Sequence, residues 1–198
     1  MELDGFVLHP AALTADQQIG LVGEVMAAAE KAPFFRAVTP GGKPMSVAST
    51  SFGPLGWVTD LKGYRYQETH PETGRPWPAM PGLLVELWDR FCPGAPPPDS
   101  CLVNLYREGA RMGLHQDKDE QDFGVPVLSL SLGDTAVFRL GGAKRSDPTR
   151  SFRLTSGDVC VIGGASRLVF HGVDRVIPGS SRLVPGGGRI NLTLRRAR

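Results

Sequence analysis

The chain has 198 residues, of which 41% are hydrophobic and 21% charged, and a net charge of +2. That length supports one domain, residues 1–198, with a sizeable core, and the balance excludes a disordered or collagen-like chain. The charge is too small to announce a nucleic-acid partner, and no apolar run approaches the roughly 18 residues of a membrane span.

The first residues, Met1-Glu2-Leu3-Asp4, are acidic and lack the basic start of a signal peptide. Thr14-Ala15-Asp16-Gln17 reads as a capping box. Behind it Ile19, Val22, Val25, Met26 and Ala29 recur at helical spacing until Pro33 stops the helix. Residues 37–80, rich in Gly, Pro and aromatics, predict hairpins and loops. Leu83, Leu84, Leu87, Trp88 and Phe91 predict a second amphipathic helix starting near Pro81 and ending before Pro93-Gly94. From residue 101 the texture is β. Leu102–Tyr106, Val125–Leu132, Ala136–Leu140, Phe152–Leu154, Val159–Ile162, Leu168–Phe170 and Ile190–Leu194 are short apolar or alternating runs between turns. The predicted class is α+β, mainly β. Its core, residues 101–198, is a double-stranded β-helix of the jelly-roll or cupin kind, with two supporting helices in the N-terminal half.

Cys92, Cys101 and Cys160 fit no zinc spacing and read as reduced, mostly buried thiols of a cytoplasmic protein. His9 and His70 read as surface residues. Residues 139–153 carry Arg139, Lys144, Arg145, Arg150 and Arg153 against Asp147. Such a patch can track a phosphate backbone, and it equally fits a solvated basic surface.

His115-Gln116-Asp117 is the sharpest local signal. One intervening residue on extended chain puts both side chains on one face. A second histidine, His171, follows a predicted strand, and Arg195 ends the last one. Two histidines and one carboxylate form the facial triad of non-haem Fe(II) oxygenases, which leaves coordination positions open. The same three residue types also suit zinc. With four histidines and 20 acidic residues in the chain, the pair needs context.

The context is a set of strings in order. They are Met45-Ser46-Val47-Ala48, Gly63-Tyr64-Arg65-Tyr66, Pro76-Trp77-Pro78-Ala79-Met80-Pro81, Asn104-Leu105-Tyr106, His115 through Glu120, Gly157-Asp158-Val159, His171-Gly172 and Arg189-Ile190-Asn191-Leu192-Thr193-Leu194-Arg195. Together they resemble the AlkB family of Fe(II)- and 2-oxoglutarate-dependent dioxygenases, from about Met45 to Arg195. The resemblance implies that His115, Asp117 and His171 bind Fe(II) and are the catalytic centre. It implies that Asn104, Tyr106, Arg189, Asn191 and Arg195 bind 2-oxoglutarate, with Arg195 on the carboxylate far from the metal. It gives Trp57, Tyr64, Tyr66, Asp119, Arg145 and Thr39 to the substrate. Asp119 would face the cationic alkylated base, and Thr39 would sit in a nucleotide-recognition lid formed by residues 37–80. Three positions depart from the family and bear on the base pocket: Ser49 for an apolar lid residue, Leu194 for an aromatic, and Ile162 for a tryptophan.

The implied activity is oxidative demethylation of 1-methyladenine and 3-methylcytosine in single-stranded DNA. O2 and 2-oxoglutarate are consumed, and formaldehyde, succinate and CO2 are released. The enzyme is expected to act as a monomer. Rival readings are the same chemistry on RNA, tRNA or a protein side chain, and a non-catalytic binder of damaged nucleic acid.

Overall fold

In the computed structural model, which describes residues 2–198, thirteen strands and two α-helices surround a deep cavity. Strands β1 (Glu2–Leu3) and β2 (Phe6–His9) precede helix α1 (Ala15–Lys31). Thr14 caps α1 as its sequence requires: Thr14 Oγ1 accepts from the Gln17 amide, and Gln17 Oε1 accepts from the Thr14 amide. Strands β3 (Ala48–Phe52), β4 (Gly56–Asp60) and β5 (Gly63–Gln67) lead to helix α2 (Gly82–Phe91). Then come β6 (Ser100–Tyr106), β7 (Met112–His115), β8 (Val127–Gly133), β9 (Ala136–Leu140), β10 (Arg150–Leu154), β11 (Val159–Ile162), β12 (His171–Val176) and β13 (Arg189–Arg195).

The strands form a seven-stranded sheet ordered β1-β2-β11-β8-β13-β6-β3, a four-stranded sheet ordered β10-β9-β12-β7, and the separate hairpin β4-β5. All named pairings are antiparallel. This is the jelly-roll architecture that the strand spacing predicts.

Period-two alternation decides what each central strand shows to each side. In β13, Ile190, Leu192 and Leu194 bury against Leu21, Val25 and Ala28 of α1 and Leu84, Leu87 and Trp88 of α2. Arg189, Asn191, Thr193 and Arg195 therefore point the other way, into the space between the sheets. In β6, Val103 and Leu105 join the helix-side core while Leu102, Asn104 and Tyr106 line the cavity. A second core of Phe6, Val127, Phe138, Leu154, Ile162 and Val173 closes the space between the sheets beside that cavity.

Four local expectations are corrected. Leu168–Phe170 is not a strand: it follows a short 3-10 turn (Gly164–Ser166), and His171 opens β12 rather than following a strand. The apolar run is anchored by loop bonds instead, with Phe170 N donating to Gly142 O and Gly141 N donating to Phe170 O. Residues 48–52, within the predicted hairpin region, pair with β6 at the edge of the large sheet. His70 is 1% exposed, wedged between Phe35 and Trp77, with Nε2 on Pro33 O at 2.8 Å. His9 is half-buried against the Phe91 ring.

Candidate metal and co-substrate site

Strand pairing assembles the triad. β12 lies beside β7 with His171 directly opposite His115, so two residues 56 apart in sequence bring their rings to 4.5 Å between centroids. Asp117 follows β7 after one residue. Its Oδ1 lies 3.7 Å from His115 Nε2 and its Oδ2 lies 3.8 Å from His171 Nε2. One donor atom from each of the three falls within 4.8 Å of the others. His115 Nδ1 is 2.9 Å from Gly113 O and His171 Nδ1 is 3.1 Å from Val169 O. Each carbonyl is placed to accept an Nδ1 proton, the arrangement that turns Nε2 toward the common point as metal ligation requires.

Burial pushes the Asp117 carboxyl up, but Arg195, His171 and His115 overcome it and hold it well below the usual carboxylate range. Burial lowers His171 to about 4, against the opposing pull of Asp117. Both ligands are therefore held in the forms that bind a cation.

The cavity, about 430 Å³, runs inward from this centre. Arg195 donates from Nη2 to Asp117 Oδ2 at 2.9 Å, so its guanidinium sits beside the triad carboxylate. Arg189 lies on the same face of β13, beside the Tyr106 ring at 5.2 Å, and is 1% exposed. Its Nη2 donates to Ser131 Oγ, while Nε and Nη1 have no hydrogen-bond partner among the described residues. A buried guanidinium with two idle nitrogens is costly unless an anion completes it. Asn104 lines the cavity with Oδ1 held by Ser49 Oγ at 2.8 Å, which leaves its Nδ2 to donate. Asn191 also lines the cavity, but its Nδ2 is spent on Ser129 Oγ and Leu130 O.

At the mouth, Trp57 and Tyr64 stack at 5.7 Å on one face of the β4-β5 hairpin. Trp57 Nε1 donates to Asp119 Oδ2 at 2.7 Å. Thr39 and Arg145 line the rim. Arg145 lies over the Phe170 ring and donates to Leu114 O. Tyr66 alone departs from its predicted neighbours: it is buried, does not line the cavity, and gives its hydroxyl to Glu120. Of the three departures, Ile162 lines the cavity, Ser49 reaches it only through Asn104, and Leu194 faces the helix side of the sheet.

Residues 5–195 match the model of the 2OG-Fe(II) oxygenase superfamily. The chain is 65% identical over 194 residues to the alpha-ketoglutarate-dependent dioxygenase AlkB homolog of Caulobacter vibrioides, covering 98% of this chain and 88% of that one. It is 44% identical over 195 residues to AlkB of Escherichia coli, covering 96% and 89%. The solved structure of OsALKBH1 superimposes with a TM-score of 0.84 at 32% identity, over 99% of this chain and 98% of that one.

The chain belongs to the AlkB family.

As an AlkB-family enzyme it is an Fe(II)- and 2-oxoglutarate-dependent dioxygenase, and its cofactors are Fe(II), 2-oxoglutarate and O2. The residues present fit them. The triad offers two imidazoles and one carboxylate, and the idle Nε and Nη1 of Arg189 offer a buried cation to a dicarboxylate. Two further residues of this AlkB-family site carry no role in the sequence reading, namely Glu120 and Arg167. Arg167 donates to Asp117 O at 2.6 Å, to Val125 O at 2.9 Å and to Glu120 Oε2 at 3.0 Å. Both side chains are almost wholly buried. The available signal was one charged residue, Glu120, inside the string His115 through Glu120, but its pairing with Arg167 spans 47 positions and no local spacing announces it. Among the described residues, no helix is long and apolar enough to cross a membrane.

Proposed function

We propose that this enzyme removes N-methyl groups from 1-methyladenine and 3-methylcytosine in single-stranded DNA, as a direct-reversal repair activity. The observation that carries the reading is the pairing of an exposed carboxylate, Asp119, with a stacked aromatic pair at the mouth of an iron site. Both methylated bases are cationic, and an aromatic face with an adjacent carboxylate suits a flat cation.

In this reading His115, Asp117 and His171 hold Fe(II). Arg189, Tyr106 and the free Asn104 amide take the far carboxylate of 2-oxoglutarate, and Arg195 meets its metal-side end. When bound, these groups supply hydroxylation of the N-methyl carbon by O2, coupled to decarboxylation of 2-oxoglutarate to succinate and CO2. The hydroxymethyl group then leaves as formaldehyde. Trp57 and Tyr64 hold the extruded base over the His115 ring, while Trp57 Nε1 keeps Asp119 aimed into the mouth. Thr39 and Arg145 supply rim contacts to the phosphates. Residues 37–80 act as the lid, with the β4-β5 hairpin as its moving part, and the apolar walls exclude water from the reacting carbon.

The decisive experiment is formaldehyde release from a 3-methylcytosine oligonucleotide with Fe(II) and 2-oxoglutarate supplied. Asp117→Ala, which removes the one carboxylate ligand, is expected to abolish it. Release from methylated RNA but not DNA would transfer the reading to RNA. No release from either, with metal loading confirmed, would sink it.

A further inference from the structure

Behind the metal carboxylate lies a buried quartet of alternating charge. Arg195 donates to Asp117 Oδ2 at 2.9 Å and lies 3.4 Å from Glu120 Oε1, while Glu120 Oε2 accepts from Arg167 at 3.0 Å. All four side chains are nearly inaccessible to solvent, and their formal charges cancel. Glu120 also accepts the hydroxyl of Tyr66, which belongs to β5. Tyr66 lies directly opposite Trp57 on the hairpin, and Trp57 donates to Asp119, the residue next to Glu120. The hairpin is thus bolted twice to the short segment that carries Asp117. One bolt is exposed at the mouth and the other is buried.

We propose that Glu120 is a positioning residue that shares Arg195 with Asp117 and so ties the seating of the β4-β5 hairpin, through Tyr66, to the strength of the metal site. An arginine that neutralised Asp117 alone would weaken the carboxylate as a ligand. Glu120 draws part of that guanidinium away and restores the negative charge that a divalent metal needs. Lifting the hairpin withdraws the phenol that holds Glu120 Oε1 beside Arg195, so Glu120 swings toward Arg167 and leaves Arg195 to neutralise Asp117 alone. Metal affinity and hairpin seating then change together, and linkage makes the effect reciprocal. Burial pushes the Tyr66 phenol well above its usual range, so it stays a donor. Its ring is anchored between Leu55 and Ala197, two residues beyond Arg195, which keeps the hydroxyl in place. The coupling concerns the metal and the hairpin alone, so it does not depend on which nucleic acid is the substrate.

The test uses the full chain with Co(II) as the metal probe, measuring affinity by calorimetry and hydrogen exchange of residues 56–67 with and without Co(II) and 2-oxoglutarate. Glu120→Gln keeps the shape and removes the charge, and is expected to weaken Co(II) binding about tenfold. In the unaltered chain, loading should slow hairpin exchange on the order of fivefold. Tyr66→Phe, which keeps the ring and removes one hydrogen bond, should abolish that slowing. A folded Glu120→Gln with unchanged Co(II) affinity overturns the proposal. So does metal-dependent protection in Tyr66→Phe equal to that of the unaltered chain, or its absence in the latter. If Glu120→Gln does not fold, Tyr66→Phe decides alone, because a phenol acting only in folding would leave the metal dependence of exchange intact.

Discussion

Arg189 is a buried guanidinium whose neighbours are the Ser131 hydroxyl, which accepts from Nη2, and Tyr106. Burial lowers its pKa from the ordinary arginine range, with Tyr106 and Cys160 opposing, which is the signature of an under-satisfied cation. Replacing such a group by an apolar one of similar length removes a desolvation penalty in the empty protein and removes the anion partner in the loaded one. Arg189→Met is therefore expected to leave the melting temperature of the ligand-free protein unchanged or raised. Its KM for 2-oxoglutarate should rise roughly 30-fold or more, with Co(II) affinity little changed. Calorimetry and succinate assays separate the two effects. An equal loss of metal affinity would place Arg189 at the metal end instead. At this scale the sequence was readable wherever a motif fixed the residue: His115 and Asp117 meet His171 in one cluster, and Asn104 and Tyr106 line the cavity beside it. It was unreadable where the role depends on distant partners. Arg189 and Arg195 look alike in one string, and the 2.9 Å contact of Arg195 with Asp117 is what separates their places in the cavity.

Strand β7 makes the metal site possible, yet it is four residues long and begins Met112-Gly113, too short and too glycine-rich to read as a strand. Its partner β12 approaches so closely at Gly172 that a Cβ there would lie 2.6 Å from Met112 O and 2.8 Å from Gly113 O. Gly113 O is also the acceptor that orients His115. Gly172→Ala must therefore push β7 away from β12 and turn the His115 ring. The expected outcome is a loss of about 1–3 kcal/mol in unfolding free energy, seen by denaturant titration, and at least about tenfold weaker Co(II) binding. Weakened binding without loss of stability would mean that the strand slides rather than separates. By contrast, α1 was legible to its cap because every signal is local. Thr14→Ala removes the side-chain acceptor for the Gln17 amide and should cost about 1 kcal/mol without touching metal affinity. The run Leu168–Phe170 misleads for the opposite reason. Its apolar composition matches a strand, but its backbone partners are loop groups of Gly141 and Gly142.

The three free thiols report on the molecule as a whole because they lie in different layers. Cys92 ends α2 and Cys101 sits in β6, both in the helix-side core, while Cys160 sits in β11 on the side between the sheets. Burial pushes each of them up to about 12, so none is a thiolate in the folded protein at neutral pH. Labelling by a disulfide reagent must then wait for opening of the layer that holds the cysteine. The cavity lies between the sheets, and β13 and β6 build one of its walls while their other faces form the helix-side core. Binding at that shared position should hold both layers closed. With Mn(II) replacing Fe(II) and with 2-oxoglutarate present at about 100 times its Kd, all three thiols are expected to label about 100-fold more slowly. The slowing should be equal across Cys92, Cys101 and Cys160, read by mass spectrometry of the labelled peptides. Slowing confined to Cys160 would show that the two faces of the large sheet open independently, and that the ligand stabilises the inner layer alone.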